Sequence, residues 1–456
     1  MKHPDELRNP QESAANLCSS PLSSSPSPEE RKNQTSRRDL LRGAAAAGAA
    51  TIAGAFRLTD LARAQGPFAP APDVPSANSA TYLYQSIKVN PFKDPAYAEG
   101  ARQRLQQFVG GANSAEAEAG RAIFAKLTSF DPEPWVAEWT KLAVPYEQKG
   151  AELESQGKMV EANKAYERAS SLYGVARFPV INHPAKVAAY RKSIENWRKA
   201  IRTFDPPLEV VEIPFEGKTI YGHLRKPKGV DKPAVIIRTG GVDGYKEGRN
   251  LAENLRIGCA GFEVDMPGAG ECPVFNKPDS EKFYVAVIDY LAKRPDLDGR
   301  RIGFVGGSYG GYWGAKMAYV EPKRLKACIQ AGGPIHYTWQ EKWLQYLRTD
   351  EKEYFWPFPD SMIYANNLTS FDELIRTAPA MSLEEQGWLS KPSAPMLIVN
   401  GAKDPWISPE EIPLLYETGQ PKMVRVMADG KHMGRESKER GAVGEMENEW
   451  LKQQLS

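Results

Sequence analysis

A lone serine stands among four glycines in the segment 304–312, which reads FVGGSYGGY. An apolar run typical of a buried strand ends at these glycines, and a helical pattern follows them. The segment 306–310 fits G-x-S-x-G, the motif in which a sharp strand-to-helix turn exposes a serine hydroxyl. Side chains beside the serine would collide with the strand and the helix, which accounts for the glycines. The segment therefore predicts Ser308 as a nucleophile, and the alternative is a tight turn with a capping serine.

The groups that would activate this serine follow it in the chain. A serine hydroxyl needs a base, and the base needs a carboxylate to orient it. Asp404 lies in the loop after the predicted strand LIVNG, and His432, the one histidine of five that comes later, follows the next strand. The order serine, acid, histidine resembles that of α/β-hydrolases. We therefore predict a catalytic triad of Ser308, Asp404 and His432, with Asp429 as the nearest competitor for the acid.

Acyl transfer also requires two N–H donors for the developing oxyanion. One is expected to be the backbone N–H of Tyr309, the residue after the nucleophile. The other is expected from the glycine-rich loop after the strand AVIIR, at Gly241 or Val242. Three charged residues follow in the same loop: Asp243, Lys246 and Glu247. They either reach the substrate or pair with one another.

The first 64 residues have the composition of an export signal. Arg37 and Arg38 precede a weakly apolar Ala/Gly run at 43–56, and residues 62–64 supply the small side chains of a cleavage site. The arginine pair resembles a twin-arginine signal. We expect the twin-arginine translocation machinery as a partner and a periplasmic or secreted mature protein. The alternative is a basic tail followed by an Ala-rich helix.

The remaining chain divides by its periodicity. A Pro/Ala-rich leader at 65–95 precedes a segment at 96–205 whose apolar residues recur every three or four positions, which predicts a helical cap domain. From 206 to 456 short apolar strands alternate with helices, which predicts a mostly parallel, doubly wound sheet, the α/β-hydrolase fold. An insertion at about 335–389 reads as a lid.

Aromatic residues are concentrated in the predicted lid. They are Tyr337, Trp339, Trp343, Tyr346, Tyr354, Phe355, Trp356 and Phe358. Such a cluster can line an apolar or aromatic substrate pocket, or it can pack the lid against the body of the protein. His336, at the start of this segment, either faces the pocket or caps a strand end.

The composition limits the partners. The net charge of +2 gives no field that would attract nucleic acid or anionic lipid. The four cysteines show no CxxC spacing, so neither a zinc site nor a disulfide framework is indicated, and no cofactor is expected. No run of about 18 apolar residues predicts a membrane span in the mature protein. The expected partner is a small-molecule substrate, and a homodimer is left open.

From about Asp131 to the end, these motifs resemble one branch of the α/β-hydrolase superfamily. It includes the dihydroxypseudooxynicotine hydrolase, the fungal polyketide-shortening hydrolases and the fermentation-respiration switch protein. The matching features are the helical domain, GG-x-D-x-x-KE at 240–247, D-x-PG-x-GE at 265–271, GGSYGGY and NGAKD. The resemblance implies a serine-type triad, no metal, and a pocket between the helical domain and the sheet. In the nicotine-pathway member an acidic residue of the oxyanion loop assists C–C bond cleavage, and Asp243 stands nearest to that position.

Four functions are compatible with these features. We favour an exported serine hydrolase that acts on small esters or activated carbonyls through an acyl-enzyme. A C–C hydrolase of the β-diketone type would use the same triad. The catalytic half is also similar to the prolyl oligopeptidases, although the segment before the sheet is helical and has no propeller repeat. A non-enzymatic binding module is disfavoured because all three triad residues are present.

Overall fold

The computed structural model of the chain describes residues 115–126, 131–349, 358–418 and 422–456. The predicted export signal and leader lie outside these residues, and so do Tyr354, Phe355 and Trp356 of the predicted lid. None of the helices in the described ranges combines the length and the apolar character that crossing a bilayer requires.

Among the described residues, four helices precede the sheet, and we call them the cap. They are α1 (Ala115–Lys126), α2 (Pro132–Ser155), α3 (Met159–Ala176) and α4 (Pro184–Ala200). Gly157, with φ of +74°, lies in the turn between α2 and α3, a backbone conformation that favours glycine. Two serines join α3 to α4, since Ser170 Oγ donates to Ser193 O (2.8 Å) and Ser193 Oγ donates to Ser170 O (2.9 Å). A final turn, Ile201–Thr203, leads into the first strand.

Eight strands form one sheet. They are β1 (Leu208–Phe215), β2 (Lys218–Arg225), β3 (Val235–Thr239), β4 (Ala260–Val264), β5 (Ile302–Gly307), β6 (Leu325–Ala331), β7 (Met396–Gly401) and β8 (Lys422–Met427). The spatial order is β1-β2-β4-β3-β5-β6-β7-β8. β2 runs antiparallel to both of its neighbours, and every other pair is parallel. The predicted fold class, a mostly parallel α/β-hydrolase sheet, is confirmed.

Helices cover both faces of this sheet. They are α5 (Ala252–Arg256), α6 (Glu281–Lys293), α7 (Tyr309–Val320), α8 (Glu341–Thr349), α9 (Phe358–Ala365), α10 (Phe371–Thr377), α11 (Glu411–Tyr416) and α12 (Arg440–Gln454). Because successive side chains of a strand point to opposite faces, Ile398 of β7 packs into one apolar layer and Leu397 into the other. Buried cap residues such as Trp139 belong to the same core as Ile398. The cap therefore packs on one face of the sheet through a continuous apolar core.

The strand register brings four loops to one edge of the sheet. Thr239 at the end of β3 pairs with Gly306 of β5. Gly401 at the end of β7 pairs with Met427 at the end of β8. β3 lies between β4 and β5, so the strand order reverses its direction at β3. In an open parallel sheet such a switch point opens a crevice at the carboxyl ends of the strands. The loops that follow β3, β5, β7 and β8 consequently meet around this crevice.

The segment between β6 and β7 contains α8, α9 and α10. Short 3-10 turns stand at each end of it, at Tyr337–Trp339 and Ala378–Met381. Glu411 of α11 holds the first turn, because its carboxylate accepts the backbone N–H groups of His336 (2.8 Å) and Thr338 (2.7 Å). The segment is thus attached to the body of the protein at the position where the sequence predicts a lid to begin.

Candidate active site

Ser308 occupies the turn between β5 and α7 in a backbone conformation that is rare for a residue with a side chain. Its φ is +57° and its ψ is −129°. The Ser308 N–H donates to the carbonyl of Ala331 (2.8 Å), which anchors the turn to β6. A Cβ on Gly306 would collide with the carbonyl oxygen of Gly310, so the chain can turn this sharply only with glycine at that position. Strain of this kind is retained where the surroundings enforce it, and it is common at functional sites.

His432 connects Ser308 to Asp404. Its Nε2 lies 2.9 Å from Ser308 Oγ, and its Nδ1 lies 2.7 Å from Asp404 Oδ2. The side chains of His432 and Asp404 are each 2% exposed, whereas Ser308 is only half-buried and can be reached from solvent. An ionised carboxylate only accepts hydrogen bonds, so Nδ1 carries the proton and Nε2 is left to accept from the serine hydroxyl. This is the arrangement in which an imidazole can remove a proton from a nucleophile.

Asp404 is held in its ionised form by several donors. Its Oδ1 accepts the backbone N–H groups of Trp406 (2.9 Å) and Ile407 (3.2 Å), and its Oδ2 also accepts from Asn400 Nδ2 (2.9 Å). Burial by itself raises the pKa of Asp404, but His432 and these hydrogen bonds outweigh it and hold the pKa below its ordinary value. The carboxylate is therefore charged at neutral pH and can stabilise an imidazolium beside it.

Asp429, the competing acid, lies elsewhere. Its carboxylate accepts from the hydroxyl of Ser437 (2.5 Å) and from the backbone N–H of Lys438 (3.3 Å). The structure brings Ser308, His432 and Asp404 together and leaves Asp429 as an exposed residue that orders the following turn.

Asn400 is a residue of this site that the sequence analysis missed. Its Oδ1 accepts the backbone N–H groups of Gly401 and Met433, each at 2.9 Å, while its Nδ2 donates to Asp404. One buried amide therefore fixes both the loop that carries the acid and the loop that carries the histidine. The residue stands in the quoted NGAKD motif, but an asparagine at a strand end is as typical of a simple turn.

The two segments predicted to supply the oxyanion donors lie next to Ser308. Tyr309 is the first residue of α7, where a helix has no internal acceptor for the N–H group. A Cβ built on Gly241 would lie 2.7 Å from Ser308 Cβ, 2.9 Å from Ser308 Oγ and 3.5 Å from the Tyr309 nitrogen. Across the described ranges, neither Gly241 nor Val242 uses its N–H in a hydrogen bond. The loop at Gly241 thus packs closely against Ser308 and Tyr309, and glycine at 241 is required by the close approach.

The family model described as Esterase FrsA-like matches residues 112–439 of the chain. The chain belongs to the FrsA-like esterase family. It is similar to an Esterase FrsA of Photobacterium profundum, with 25% identity over 68% of this chain and 74% of that protein. It is also similar to the 2,6-dihydropseudooxynicotine hydrolase of Paenarthrobacter nicotinovorans, with 29% identity over 62% of this chain and 72% of that protein. The predicted family resemblance is confirmed, and the chain is a hydrolase of the esterase type.

A solved structure agrees with this assignment. The crystal structure of the 2,6-dihydroxy-pseudo-oxynicotine hydrolase superposes with a TM-score of 0.61 and 26% sequence identity. The match covers 70% of this chain and 88% of the other. The FrsA-like chain and this hydrolase therefore share the α/β-hydrolase fold.

The charged residues of the oxyanion loop are placed in two different surroundings. Lys246 is fully buried and forms ion pairs with Glu247 (2.8 Å), Asp265 (3.0 Å) and Glu271. Of the two alternatives for Lys246 and Glu247, the structure shows mutual pairing rather than a free approach to substrate. Asp243 is half-buried and faces a cavity between the loop and the cap.

This cavity has a volume of about 210 Å³. Its lining comprises Ser170, Ser171, Gly174, Arg177, Tyr190, Ser193, Asp243, Gly244, Tyr245, Glu247, Gly248 and Arg249. Ser308 and His432 are not among these residues, so as far as the described part of the chain goes the cavity adjoins the oxyanion loop without containing the reacting atoms. Asp243 thus lines a cavity that does not include Ser308 or His432, whereas the C–C cleavage alternative calls for its carboxylate beside the substrate carbonyl.

The described aromatic residues of the predicted lid mainly serve packing. Trp339 is fully buried and its ring lies 5.3 Å from that of Tyr309, whose hydroxyl is bound by Asn276 and Asn366. Trp343 donates through Nε1 to the carbonyl of Trp406 (2.7 Å), and the Trp406 ring stands 4.9 Å from His432. The lid therefore packs against helix α7, which follows Ser308, and against the loop that carries Asp404.

His336 and Tyr337 lie at the N-terminal end of the lid. His336 Nδ1 lies 2.8 Å from Ser382 Oγ, and Nε2 lies 3.1 Å from the Glu384 carboxylate, so both ring nitrogens have protein partners. Tyr337 is half-buried and packs edge-on against the His336 ring at 4.8 Å. Of the two alternatives for His336, these contacts favour the structural one.

The structure offers no obvious metal site in its described portion, where no three His, Cys, Asp or Glu side chains are grouped to hold an ion. Three cysteines of that portion, Cys259, Cys272 and Cys328, are buried free thiols. Burial raises the pKa of Cys259, which keeps its thiol in the protonated, unreactive form.

Proposed function

We propose that this FrsA-like protein is a serine hydrolase that cleaves small esters or activated carbonyl compounds through an acyl-enzyme on Ser308. The observation that carries the proposal is the continuous hydrogen-bonded array from Ser308 Oγ through His432 (2.9 Å) to Asp404 (2.7 Å), with the serine held at a strained turn. Membership of an esterase family supports the same reaction class.

The reaction begins with attack of Ser308 Oγ on the substrate carbonyl carbon. His432 Nε2 takes the hydroxyl proton while the new C–O bond forms and the carbonyl electron pair moves to the oxygen. The imidazolium then gives this proton to the departing alkoxide, and the bond to the leaving group breaks. A water molecule repeats the sequence on the acyl-enzyme, so that the acid is released and Ser308 regains its proton. Asp404 keeps the imidazole in the required tautomer throughout.

The developing oxyanion would be stabilised by the N–H of Tyr309 together with that of Gly241 or Val242. The position of Tyr309 at the start of α7 adds the favourable end of a helix dipole. Removal of one such donor from a hydrolase costs about 10²–10³-fold in kcat, so these backbone groups account for a large share of the expected rate.

The proposed substrate is a small ester with an apolar or aromatic part. The half-buried Ser308 and the Trp406 ring, which lies 4.9 Å from that of His432, support this choice. Export by the twin-arginine route to the periplasm or beyond is part of the proposal and is supported by the residue pattern of the first 64 residues. A homodimer stays a prediction.

The test is a chromogenic panel on the purified mature protein. It contains short- and long-chain aryl esters, an aminoacyl arylamide and a β-diketone, with Ser308→Ala compared to wild type. We expect the esters to be turned over, and the variant to lose about 10⁴-fold or more of kcat. Ser437→Ala, a serine in an exposed turn, is the matched control and should keep full activity. Wild-type turnover by Ser308→Ala would refute the proposal.

Hydrolysis of a C–C bond is the second candidate, because a relative named 2,6-dihydropseudooxynicotine hydrolase is 29% identical. The same panel separates the two. Turnover of the β-diketone at a kcat/KM above that of every ester would replace ester hydrolysis by C–C hydrolysis, and preferential cleavage of the arylamide would indicate an exopeptidase.

A further inference from the structure

A buried group of charges lies directly behind the oxyanion loop. We call Lys246, Glu247, Asp265 and Glu271 the charge cluster. The Lys246 ammonium contacts all three carboxylates, and the exposed fractions of the four side chains are 0%, 5%, 1% and 1%. Burying an unpaired charge costs several kcal/mol. A cluster with so little exposed surface is therefore stable only because its charged groups form ion pairs with one another.

The charge cluster joins the two charged motifs at 240–247 and 265–271, which are separate in the sequence. Lys246 and Glu247 lie in the loop after β3, whereas Asp265 and Glu271 lie in the loop after β4. The Asp265 carboxylate accepts the backbone N–H of Lys246 at Oδ1 (2.8 Å) and that of Glu271 at Oδ2 (2.9 Å). The same oxygen, Oδ2, also accepts from Lys246 Nζ (3.0 Å). One carboxylate thereby binds the backbones of both loops to a single ammonium.

The cap helix α4 joins the charge cluster from the other side. Tyr190 donates its hydroxyl hydrogen to Glu247 Oε2 (3.0 Å), and Arg198 forms an ion pair with Glu271 at 3.9 Å. The Tyr190 ring also packs edge-on against Tyr245 of the oxyanion loop at 4.9 Å. The cap therefore contacts the oxyanion loop through the charge cluster, and the same cluster attaches that loop to the loop after β4.

The opposite face of the loop contacts the nucleophile. Gly241 packs against Ser308, and the Gly244 N–H donates to Gly241 O (3.0 Å), which closes a tight turn. The Arg249 N–H donates to Lys246 O (3.3 Å) and closes a second turn. These two turns follow each other closely in the chain, so Lys246 and Gly241 belong to one short, internally hydrogen-bonded loop.

Lys246 is unsuited to direct chemistry. Its side chain has no exposed surface, and its ammonium is occupied by three carboxylates. Burial alone lowers the pKa of Lys246, but the charges of Asp265, Glu247 and Glu271 outweigh it and raise the pKa well above the ordinary value. The ammonium consequently stays protonated and acts on the reaction only through the loop that carries it.

We propose that Lys246 is a positioning residue for the second oxyanion donor, and that the Tyr190–Glu247 hydrogen bond extends this positioning to the cap. The charge cluster holds the loop at 240–247 so that the N–H of Gly241 or Val242 faces the oxyanion on the substrate bound to Ser308. This inference rests on the proposed serine hydrolase function.

The test compares Lys246→Met with Lys316→Met in the full mature protein. Lys316 is the matched control, because it is a second fully buried lysine, paired with Glu281 (3.0 Å) on the far part of α7. With the best ester of the panel, we expect Lys246→Met to lower kcat by about 30-fold or more while KM stays within about threefold. Lys316→Met should lower the unfolding midpoint comparably and change kcat by less than about threefold.

A second readout separates positioning from general loss of structure. The probe is a trifluoromethyl ketone with the acyl group of that ester, since it binds as a tetrahedral oxyanion adduct on the serine. Its Kd should rise in Lys246→Met by the same factor by which kcat/KM falls, because both report stabilisation of the oxyanion. Equal kcat and equal Kd in a folded Lys246→Met and wild type would overturn the proposal, as would an equal loss in Lys316→Met.

Tyr190→Phe and Glu247→Gln decide the matter if Lys246→Met does not fold. Tyr190→Phe removes one hydroxyl and should lower kcat about three- to tenfold without changing KM, with a matching rise in the ketone Kd. Glu247→Gln should have a similar effect. Unchanged kcat in both variants would overturn the inference, whereas wild-type activity in Ser308→Ala would instead overturn the proposed function on which it rests.

Discussion

Ser308 keeps a backbone conformation, with φ of +57°, that disfavours every residue with a Cβ. Such a conformation costs about 1–3 kcal/mol and persists because the N–H of Ser308 is bound to Ala331 and the flanking glycines allow close packing. The strain directs the hydroxyl toward His432 rather than into the core. At this scale the site is defined by a few short contacts, and single substitutions test it.

Asp404→Asn tests the role of the carboxylate. An amide can donate to Nδ1 and so favour the wrong imidazole tautomer, which leaves Nε2 unable to accept the serine proton. We expect kcat for the ester to fall by about 10⁴-fold with the fold intact, as judged by circular dichroism. Asp429→Asn is the matched control, and it should retain activity because the Asp429 carboxylate accepts hydrogen bonds from Ser437 and Lys438, away from the site. A loss in Asp429→Asn with retention in Asp404→Asn would reverse the assignment of the acid.

Helix α7 is the element that brings the parts of the site together. Its first turn consists of Tyr309 and two glycines, and a Cβ on Gly311 would lie 2.8 Å from the nitrogen of Gly333. A Cβ on Gly310 would collide with the carbonyl oxygen of Gly240. The glycines therefore let the loops after β3 and β6 pack directly on the start of the helix, which is what places the oxyanion loop beside Ser308.

Gly241→Ala tests this fit between loop and helix. The new methyl group would lie 2.7 Å from Ser308 Cβ, so the loop must withdraw and take its N–H donor with it. We expect kcat to fall about 10²–10³-fold, the loss typical of one oxyanion donor. In Gly441→Ala, the control in α12, the methyl group meets no atom within 4 Å, so activity should be kept and stability should rise by up to about 1 kcal/mol. Full activity in Gly241→Ala would exclude a close role for this loop.

At the scale of the whole molecule, the side chain of His223 lies where the sheet packs against the cap. It is in β2, is 2% exposed, and its ring lies 6.2 Å from that of Trp197 in α4. Its Nδ1 has no hydrogen-bond partner among the described residues. Burial, helped by the positive charge of Lys246, lowers the pKa of His223 to about 3. The folded protein therefore keeps this ring neutral in conditions where the unfolded chain protonates it.

This difference predicts how the stability depends on pH. The unfolded pKa is about 6.5, so the contribution of neutral His223 is fully present above pH 6.5 and is lost as the pH falls toward 3. His223→Phe removes the titration. As the pH falls from about 6 to 4.5, the free energy of unfolding of wild type should decrease, relative to that of the variant, by about 1.4 kcal/mol for each pH unit. Urea unfolding at several pH values measures this, and parallel curves for the two proteins would contradict it.

Much of the site could be predicted from the sequence because its chemistry is encoded locally. The G-x-S-x-G turn, the order of Ser308, Asp404 and His432, and the strand that precedes each of them are all read along the chain. Parallel strands bring their carboxyl ends to one edge, so these loops had to meet. The chosen acid agrees with the geometry for this reason, and so do the glycine at 241 and the fold class.

One element boundary shows where local patterns stop being sufficient. The pattern predicts a helix over 248–255, but α5 begins only at Ala252. Leu251 adopts φ of +58°, and Arg249 N–H is used in the turn to Lys246, so the preceding residues cannot join the helix. The packing of the oxyanion loop prevails here over helix propensity.

The sequence by itself determined the fold class and the three residues of the Ser308–His432–Asp404 array, because short-range spacing and strand order specify them. Only the tertiary structure decided that Lys246 pairs with Asp265 and Glu271, that Asn400 joins the acid and histidine loops, and that Trp339 is buried. These contacts join segments far apart in the chain, and strand register and side-chain packing, rather than local pattern, select the partners.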